Sequence, residues 1–171
     1  MNIQIISQLN PNISELKTFL ENAYKEIDET DQKRFDEENA NQLIDEWFST
    51  EEMSKYLEDG NLLEARTESN ELVGVAFVGK QNPITWPDGK KTELFVFAVH
   101  PEYRRHGLGK KLLMQVEEGA KKLGSVKLIL NAHILQKQMH DWYVKNGFTE
   151  IGVLRNYYDN GDAKFFSKTL T

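Results

Sequence analysis

The 171-residue sequence contains no cysteine, and this absence excludes disulfide bonds, thiolate zinc sites and a cysteine nucleophile. Proline is also scarce, with 4 residues, and no proline-rich or low-complexity stretch suggests a linker. We therefore expect one domain over residues 1–171. No apolar run approaches the roughly 20 residues of a membrane span, and the apolar start at residues 1–6 is too short for a signal peptide. We expect a cytoplasmic protein with no membrane partner.

Positive charge is in the minority, because 21 Lys and Arg against 27 Asp and Glu leave a net charge of −6. This balance argues against nucleic acid as a partner, since non-specific binding depends on cations that neutralise phosphates. The charge is unevenly distributed: residues 26–59 carry 13 acidic and 3 basic side chains, whereas residues 100–127 carry 7 basic and 3 acidic ones. Two solvated helix faces would produce this division. So would one segment that attracts a cationic acceptor and another that attracts an anionic donor.

Hydrophobic spacing predicts a mixture of strands and helices. Ile3 and Ile5 indicate a first strand, and Asn10-Pro11 predicts the start of a helix that continues to Ile27. The remaining predicted elements, in chain order, are helical segments within 43–57, strands 62–67, 72–78 and 91–99, a helix 108–123, a strand 126–130, a helix 135–146, and strands 148–154 and 163–169. Together they indicate an α/β (α+β) fold with a mixed sheet of about six or seven strands and about four helices.

A basic, glycine-rich segment stands between a predicted buried strand and an amphipathic helix: Arg104-Arg105-His106-Gly107-Leu108-Gly109-Lys110. Two glycines one residue apart let the backbone turn tightly and approach a ligand closely. The first amides of the helix have no internal acceptor and lie at the positive end of its dipole, so the segment predicts an anion site suited to a pyrophosphate. Neither the dinucleotide fingerprint nor the nucleoside-triphosphate loop is present. A tight structural connection is the alternative interpretation.

With the residues before it, this segment resembles the acetyl-CoA loop of the GNAT superfamily of N-acetyltransferases. The superfamily pattern is Arg or Gln, two residues, Gly, any residue, then Gly or Ala, and here it follows Val99-His100-Pro101-Glu102-Tyr103. A second motif resembles the superfamily's aromatic-Tyr-x-Lys-x-Gly-Phe: Trp142-Tyr143-Val144-Lys145-Asn146-Gly147-Phe148. The resemblance covers residues 61–154. Two positions depart from it, since Gln136 and Met139 stand where many relatives have Asn and Ala.

The resemblance implies a GNAT fold in which two central parallel strands splay apart and leave a cleft for the coenzyme. The backbone of Phe97, Ala98 and Val99 is expected to pair with the pantetheine arm of acetyl-CoA as if it were an added strand. Asn131, at the end of the second parallel strand, is a further candidate contact. The pyrophosphate is expected at the loop, where the candidate residues are Arg104, Arg105, His106, Gly107, Leu108, Gly109 and Lys110.

The resemblance also implies direct attack of an amine on the acetyl thioester. Glu93 is the candidate general base: it precedes Val99 by six residues, and we place both side chains on one face of the strand. Its alternative is a solvated carboxylate. Tyr143 is the candidate general acid that protonates the leaving thiolate, and its alternative is a packed core aromatic. The four histidines show no zinc spacing, so no metal is expected.

The acceptor is an amine that the sequence does not identify. The tail Arg155-Asn156-Tyr157-Tyr158 resembles the ending of acetyltransferases that modify protein amino termini. A protein N-terminal amine, a polyamine and another small amine all remain open. A non-catalytic coenzyme-A-binding sensor or interaction module is the alternative function. The oligomeric state is open as well, with a homodimer as one option.

Overall fold

The computed structural model describes residues 2–25, 60–79, 90–158 and 161–171. The acidic segment 26–59, including the helices predicted within 43–57, lies outside the described residues.

Seven strands and three α-helices make up the described chain. In order they are β1 (Ile3–Gln8), α1 (Ile13–Lys25), β2 (Gly60–Thr67), β3 (Leu72–Gly79), β4 (Lys91–Val99), a 3-10 turn (Pro101–Tyr103), α2 (Leu108–Lys122), β5 (Lys127–His133), α3 (Lys137–Lys145), β6 (Thr149–Tyr158) and β7 (Gly161–Thr169). None of these helices is long and apolar enough to cross a membrane.

All seven strands form one mixed sheet in the order β1-β2-β3-β4-β5-β7-β6. The central pair, β4 and β5, is parallel, and the other neighbours are antiparallel. This arrangement confirms the predicted fold class, including the parallel pair at the centre of the sheet.

Helices cover both faces of the sheet. On one face, here called the α1 face, Leu16 and Leu20 pack with Phe77 and Val96. On the opposite face, the α2–α3 face, the core is formed by residues of both helices and of β2, β3, β4, β5 and β7: Leu63, Ala76, Val78, Leu94, Leu112, Leu113, Val116, Leu128, Leu130, Tyr143 and Phe166. Residues that alternate along a strand therefore contact different helices.

Helix α1 begins two residues later than its predicted start at Pro11. The side chain of Asn12 accepts a hydrogen bond from the backbone N–H of Glu15 at 3.2 Å, and Asn12 O accepts from Leu16 N at 3.0 Å. An asparagine that satisfies an open amide of the first turn is an N-cap. The prediction from Asn10-Pro11 was wrong because a second asparagine follows the proline.

An ion-pair cluster fastens α1 to the sheet. Arg66 on β2 donates to both carboxylate oxygens of Glu15, at 2.9 and 2.7 Å, and its Nε donates to Glu64 at 2.8 Å. Glu64 is 1% exposed. Hydrogen bonds from Arg66 lower the pKa of Glu15, and the pKa of Arg66 is raised in turn by the bond to Glu15.

Candidate active site

The start of α2 presents open backbone amides. Gly107 is the N-cap residue in a left-handed conformation, with φ 81°, and no side chain caps the helix. The first helical hydrogen bond runs from Lys111 N to Gly107 O at 3.1 Å. The amides of Leu108, Gly109 and Lys110 therefore have no intrahelical acceptor. This geometry fits the predicted anion site.

The loop before α2 adds exposed cations and a second left-handed residue. Arg105 has φ 63°, which is uncommon for a residue with a side chain, and Arg105, His106 and Lys110 are all exposed. Left-handed residues in a turn orient neighbouring N–H groups towards a common point, where they can hold an anion. The loop therefore combines main-chain donors with the exposed, positively charged side chains of Arg105 and Lys110.

Arg104 is engaged differently from its predicted role as a cation beside the phosphates. Its Nε donates to Val99 O at 3.0 Å, and its Nη2 donates to Ala23 O in α1 at 2.7 Å. Arg104 thus ties the end of β4 to the last turns of α1. A cation near the C-terminal carbonyls of a helix is also favoured by the helix dipole.

A gap opens between β4 and β5 where their pairing stops. The parallel register comprises three residue pairs, from Lys91 with Lys127 to Glu93 with Ile129. Beyond Glu93 the strands diverge, although β4 continues to Val99. This confirms the predicted splay and gives Glu93 a defined place, at the point where the gap begins.

The three residues predicted to pair with the pantetheine direct their backbone groups to different sides of β4. His100 N donates to Val73 O at 2.9 Å, so the backbone of His100 is directed towards β3. Because polar backbone groups alternate between the two edges of a strand, Ala98 also faces β3, whereas Phe97 and Val99 face the gap. Of Val99's two groups, the carbonyl accepts from Arg104, which leaves its N–H as the donor towards the gap.

Gly109 allows a close approach between the first turn of α2 and its neighbours β4 and α3. A Cβ at this position would lie 3.4 Å from the ring of Trp142 and 3.8 Å from Phe97 and Val99. The Phe97 and Trp142 rings are themselves 5.4 Å apart. The first turn of α2 therefore approaches β4 and α3 closely, which places the anion site beside the open edge of β4.

A bulge changes the face on which Glu93 lies. The β3–β4 register shifts between Phe77, which pairs with Val96, and Val78, which pairs with Leu94, so Phe95 is the extra residue. Val96 belongs to the core on the α1 face, whereas Leu94 belongs to the core on the α2–α3 face. Glu93, which alternates with Leu94, is therefore on the α1 face. The prediction that Glu93 shares a face with Val99 was wrong, because an extra residue reverses the alternation.

The Glu93 carboxyl group is partly buried, and this burial raises its pKa above the usual value for glutamate. The cause is desolvation, which disfavours the charged form. A glutamate with a raised pKa beside a cleft is a stronger proton acceptor than an ordinary glutamate, which suits a general base.

Tyr143 lies on the other side of the sheet. It is 5% exposed in the core of the α2–α3 face, and its ring makes edge-on contacts with Trp142 and Phe148. The candidate base and the candidate acid therefore lie on opposite faces, with the β4–β5 gap between them.

Asn131 lies within β5, whereas the sequence placed it at the end of a strand. Its Oδ1 accepts a hydrogen bond of 2.5 Å from the hydroxyl of Tyr158. The ring of Tyr158 stacks on His133, at 5.4 Å between centroids. This contact orients the Asn131 amide towards the β6–β7 hairpin.

Comparison with known proteins agrees with this geometry. A model of the acetyltransferase (GNAT) family matches residues 20–148. The chain belongs to this family. It is 35% identical over 71 residues to the ribosomal protein bS18-alanine N-acetyltransferase of Escherichia coli (strain K12), a match that covers 42% of this chain and 48% of that protein.

A second curated relative is similar in sequence, and a solved GNAT structure is similar in fold. Identity is 34% over 92 residues to the amino-acid acetyltransferase of Pseudomonas putida (strain GB-1), covering 48% of this chain and 20% of that protein. The matched stretch thus spans less than half of the length of either curated relative. The fold is similar throughout to PaiA N-acetyltransferase from Thermoplasma acidophilum in complex with coenzyme A, with a TM-score of 0.77, 22% identity and 99% of both chains covered.

Sequence reasoning gave no site role to two residues that lie beside Glu93, namely Gly79 and Phe95. Phe95 lies in the uninterrupted apolar run 94–99, where a bulge leaves no mark such as glycine or proline. Gly79 precedes a segment rich in turn residues, which makes it look like an ordinary strand end. The predicted loop residues, by contrast, are brought to the start of α2 as expected.

Proposed function

We propose that the protein transfers the acetyl group of acetyl-CoA to the α-amine of a peptide, by direct attack in a ternary complex. One observation carries the proposal: the β4–β5 pairing ends at Glu93, so a basic carboxylate stands where the gap opens, and the uncapped start of α2 lies at the other end of β4. Acetyl-CoA bound along the gap would place its pyrophosphate on the α2 amides and its thioester near Glu93.

The two proton transfers take place on opposite faces of the sheet. The amine approaches from the α1 face, where Glu93 accepts its proton as the nitrogen bonds to the thioester carbonyl carbon. Of the two backbone N–H groups that face the gap, that of Phe97 is the nearer to Glu93, and it stabilises the oxyanion that develops. The C–S bond then breaks, and Tyr143 on the α2–α3 face supplies the proton that the coenzyme A thiolate takes up. The products are an N-acetyl peptide and free coenzyme A, and no covalent enzyme intermediate is needed.

An α-amine suits this base better than a lysine-type amine does. Deprotonation of an α-amine at pH 7 costs only about 1 kcal/mol, against about 4 to 5 kcal/mol for a lysine-type amine. The names of both curated relatives support an α-amine, since one acts on an alanine of a ribosomal protein and the other on an amino acid.

The surface next to Glu93 supports a peptide over a small amine. Asn131, which is two residues beyond the Ile129 partner of Glu93, shares its face of the sheet, and Phe165 pairs with Asn131 on β7. Tyr157, 47% exposed, makes an edge-on contact with Phe165. This aromatic and amide surface offers apolar contact and hydrogen bonds to the residues that follow an N-terminal amine.

The test is thiol release from acetyl-CoA with a short peptide that begins with alanine, with spermidine and with an aminoglycoside as comparison acceptors. We expect steady release with the peptide, and a fall in kcat of about 10²-fold in Tyr143→Phe with unchanged affinity for coenzyme A. Tight coenzyme A binding without release for any amine would support a sensor and overturn the proposal.

A further inference from the structure

The ring of Phe95 occupies space that any other residue at position 79 would fill. A Cβ built on Gly79 would lie 2.0 Å from one ring carbon of Phe95 and 2.8 Å from the next, distances at which atoms overlap. The bulge in β4 gives Phe95 its orientation, and the missing side chain of Gly79 gives it room. Phe95 is nevertheless 42% exposed, so one part of the ring faces outwards.

This ring lies beside Glu93. Gly79 and Glu93 are directly paired across β3 and β4, and the Cβ atoms of such a pair are about 4.5 to 5.5 Å apart on the same face. Because the Phe95 ring lies almost where the Gly79 Cβ would be, it flanks the Glu93 side chain. An aromatic surface and a carboxylate thus stand side by side on the α1 face, at the point where the gap to β5 begins.

We propose that Phe95, seated over Gly79, forms the wall of the acceptor pocket and holds the incoming ammonium group next to Glu93. The inference rests on the proposed function and extends it to a specificity-determining residue. An α-amine with a pKa near 8 arrives mostly protonated at pH 7. The face of an aromatic ring attracts such a cation, and the neighbouring carboxylate completes the site.

The same wall sets the chemical class of acceptor. The ring occupies the β3 side of Glu93, so the amine has to come from the β5 side, with its substituent directed towards Asn131 and Phe165. A primary amine on a single extended chain fits this approach. An amine that is branched on both sides would meet the Phe95 ring.

The experiment measures the KM of the acceptor and the KM of acetyl-CoA separately, with a peptide that begins with alanine as the probe. We expect Phe95→Leu to raise the peptide KM by about two- to fivefold through loss of the cation–ring attraction. Phe95→Tyr, which keeps the ring, is expected to retain the wild-type peptide KM. The KM of acetyl-CoA should stay unchanged in both variants.

Gly79→Ala tests the same contact from the other strand. The added methyl group must displace the ring, so this variant should raise the peptide KM as Phe95→Leu does, and it should also lower the melting temperature. The double variant Gly79→Ala, Phe95→Ala removes the overlap between the added methyl group and the ring. We expect this double variant to recover stability while its peptide KM remains as high as that of Phe95→Ala alone. Recovered stability together with a high peptide KM would show that the KM rises because the ring is lost, and not because the fold is destabilised.

Three results are decisive. A wild-type protein that acetylates the peptide, together with unchanged peptide KM in Phe95→Leu and Gly79→Ala, overturns the inference and leaves the proposed function standing. A rise in the KM of acetyl-CoA in place of the peptide KM also overturns it, because the ring would then belong to the donor side. A wild-type protein inactive on every amine overturns both.

Discussion

Glu93 is a side chain whose burial makes the folded protein less stable at neutral pH. Its pKa is raised in the folded state, so the folded protein binds its proton more tightly than the unfolded chain does. The stability that follows from this is fully present below the unfolded pKa and is lost as pH rises through the folded pKa. A group retained at such a cost is a candidate for function.

Glu93→Gln should therefore separate stability from activity. We expect its melting temperature to exceed that of the wild type at pH 7, and the difference to disappear at pH values below the unfolded pKa of glutamate. The kcat/KM for the peptide should fall by about 10²-fold or more. Thermal unfolding over a pH series and steady-state kinetics provide both measurements. Equal melting temperatures at pH 7 would mean that burial of the carboxylate carries no cost.

Gly107, the N-cap of α2, and Gly119, inside α2, make a matched pair for testing the loop conformation. At Gly107 and at Gly119 an added Cβ would meet nothing within 4 Å, but only Gly107 has a left-handed backbone. Gly107→Ala should cost about 1 to 2 kcal/mol of stability and weaken coenzyme A binding. Gly119→Ala, inside the helix, should gain about 0.5 to 1 kcal/mol and leave binding unchanged. Denaturant unfolding and calorimetric titration with coenzyme A measure both effects.

Among the helices and strands, the attachment of α1 to β2 depends on Arg66. Removal of this cation leaves Glu64 buried without its partner, so Arg66→Met should destabilise the protein by about 3 to 5 kcal/mol. Glu15→Gln removes a partner that is 38% exposed, and should cost less than about 1 kcal/mol.

The same cluster predicts an acid-side loss of stability. The pKa of Glu15 is lowered by Arg66, so its contribution is present above the unfolded pKa and is lost as pH falls through the folded pKa. Urea unfolding between neutral and acidic pH should show this loss in the wild type and not in Arg66→Met. An identical acid-side slope in the two proteins would contradict the assignment.

Elements could be predicted from the sequence where the pattern is local. The start of α2 follows from Gly107 and Gly109, and the strands 62–67 and 72–78 follow from alternation around the turn at Asn70, which indeed has φ 66°. The bulge at Phe95 could not be predicted, since it depends on how β3 pairs with β4 and on the space over Gly79. The engagement of Arg104 by Ala23 depends on contacts 81 residues apart, which spacing does not reveal.

At the scale of the whole molecule, the face of the sheet on which each candidate catalytic residue lies could be assigned only from the fold. The resemblance implied Glu93 and Tyr143 as candidate base and acid, but their positions on opposite faces follow from the bulge and from the packing of α3. The sequence also placed Asn131 at a strand end, whereas β5 continues to His133 and pairs with β7 along its length.

Three residue pairs between β4 and β5 leave the sheet divided into two parts, β1 to β4 and β5 to β7. Within the described part of the chain, the core cluster on the α1 face contains residues of α1, β2, β3 and β4, and none of β5 to β7. The core of the α2–α3 face joins the two parts, and coenzyme bound in the gap would join them on the α1 face as well, completing the surface that spans Glu93 and Phe165.

This division predicts a compulsory order of addition, with acetyl-CoA first and coenzyme A released last. Product inhibition by coenzyme A should be competitive against acetyl-CoA and non-competitive against the peptide. Hydrogen exchange at the edge of β5 should slow when coenzyme A alone is added, and should not respond to peptide alone. Equal slowing by either substrate would contradict this order, because it would show that the peptide binds without the donor.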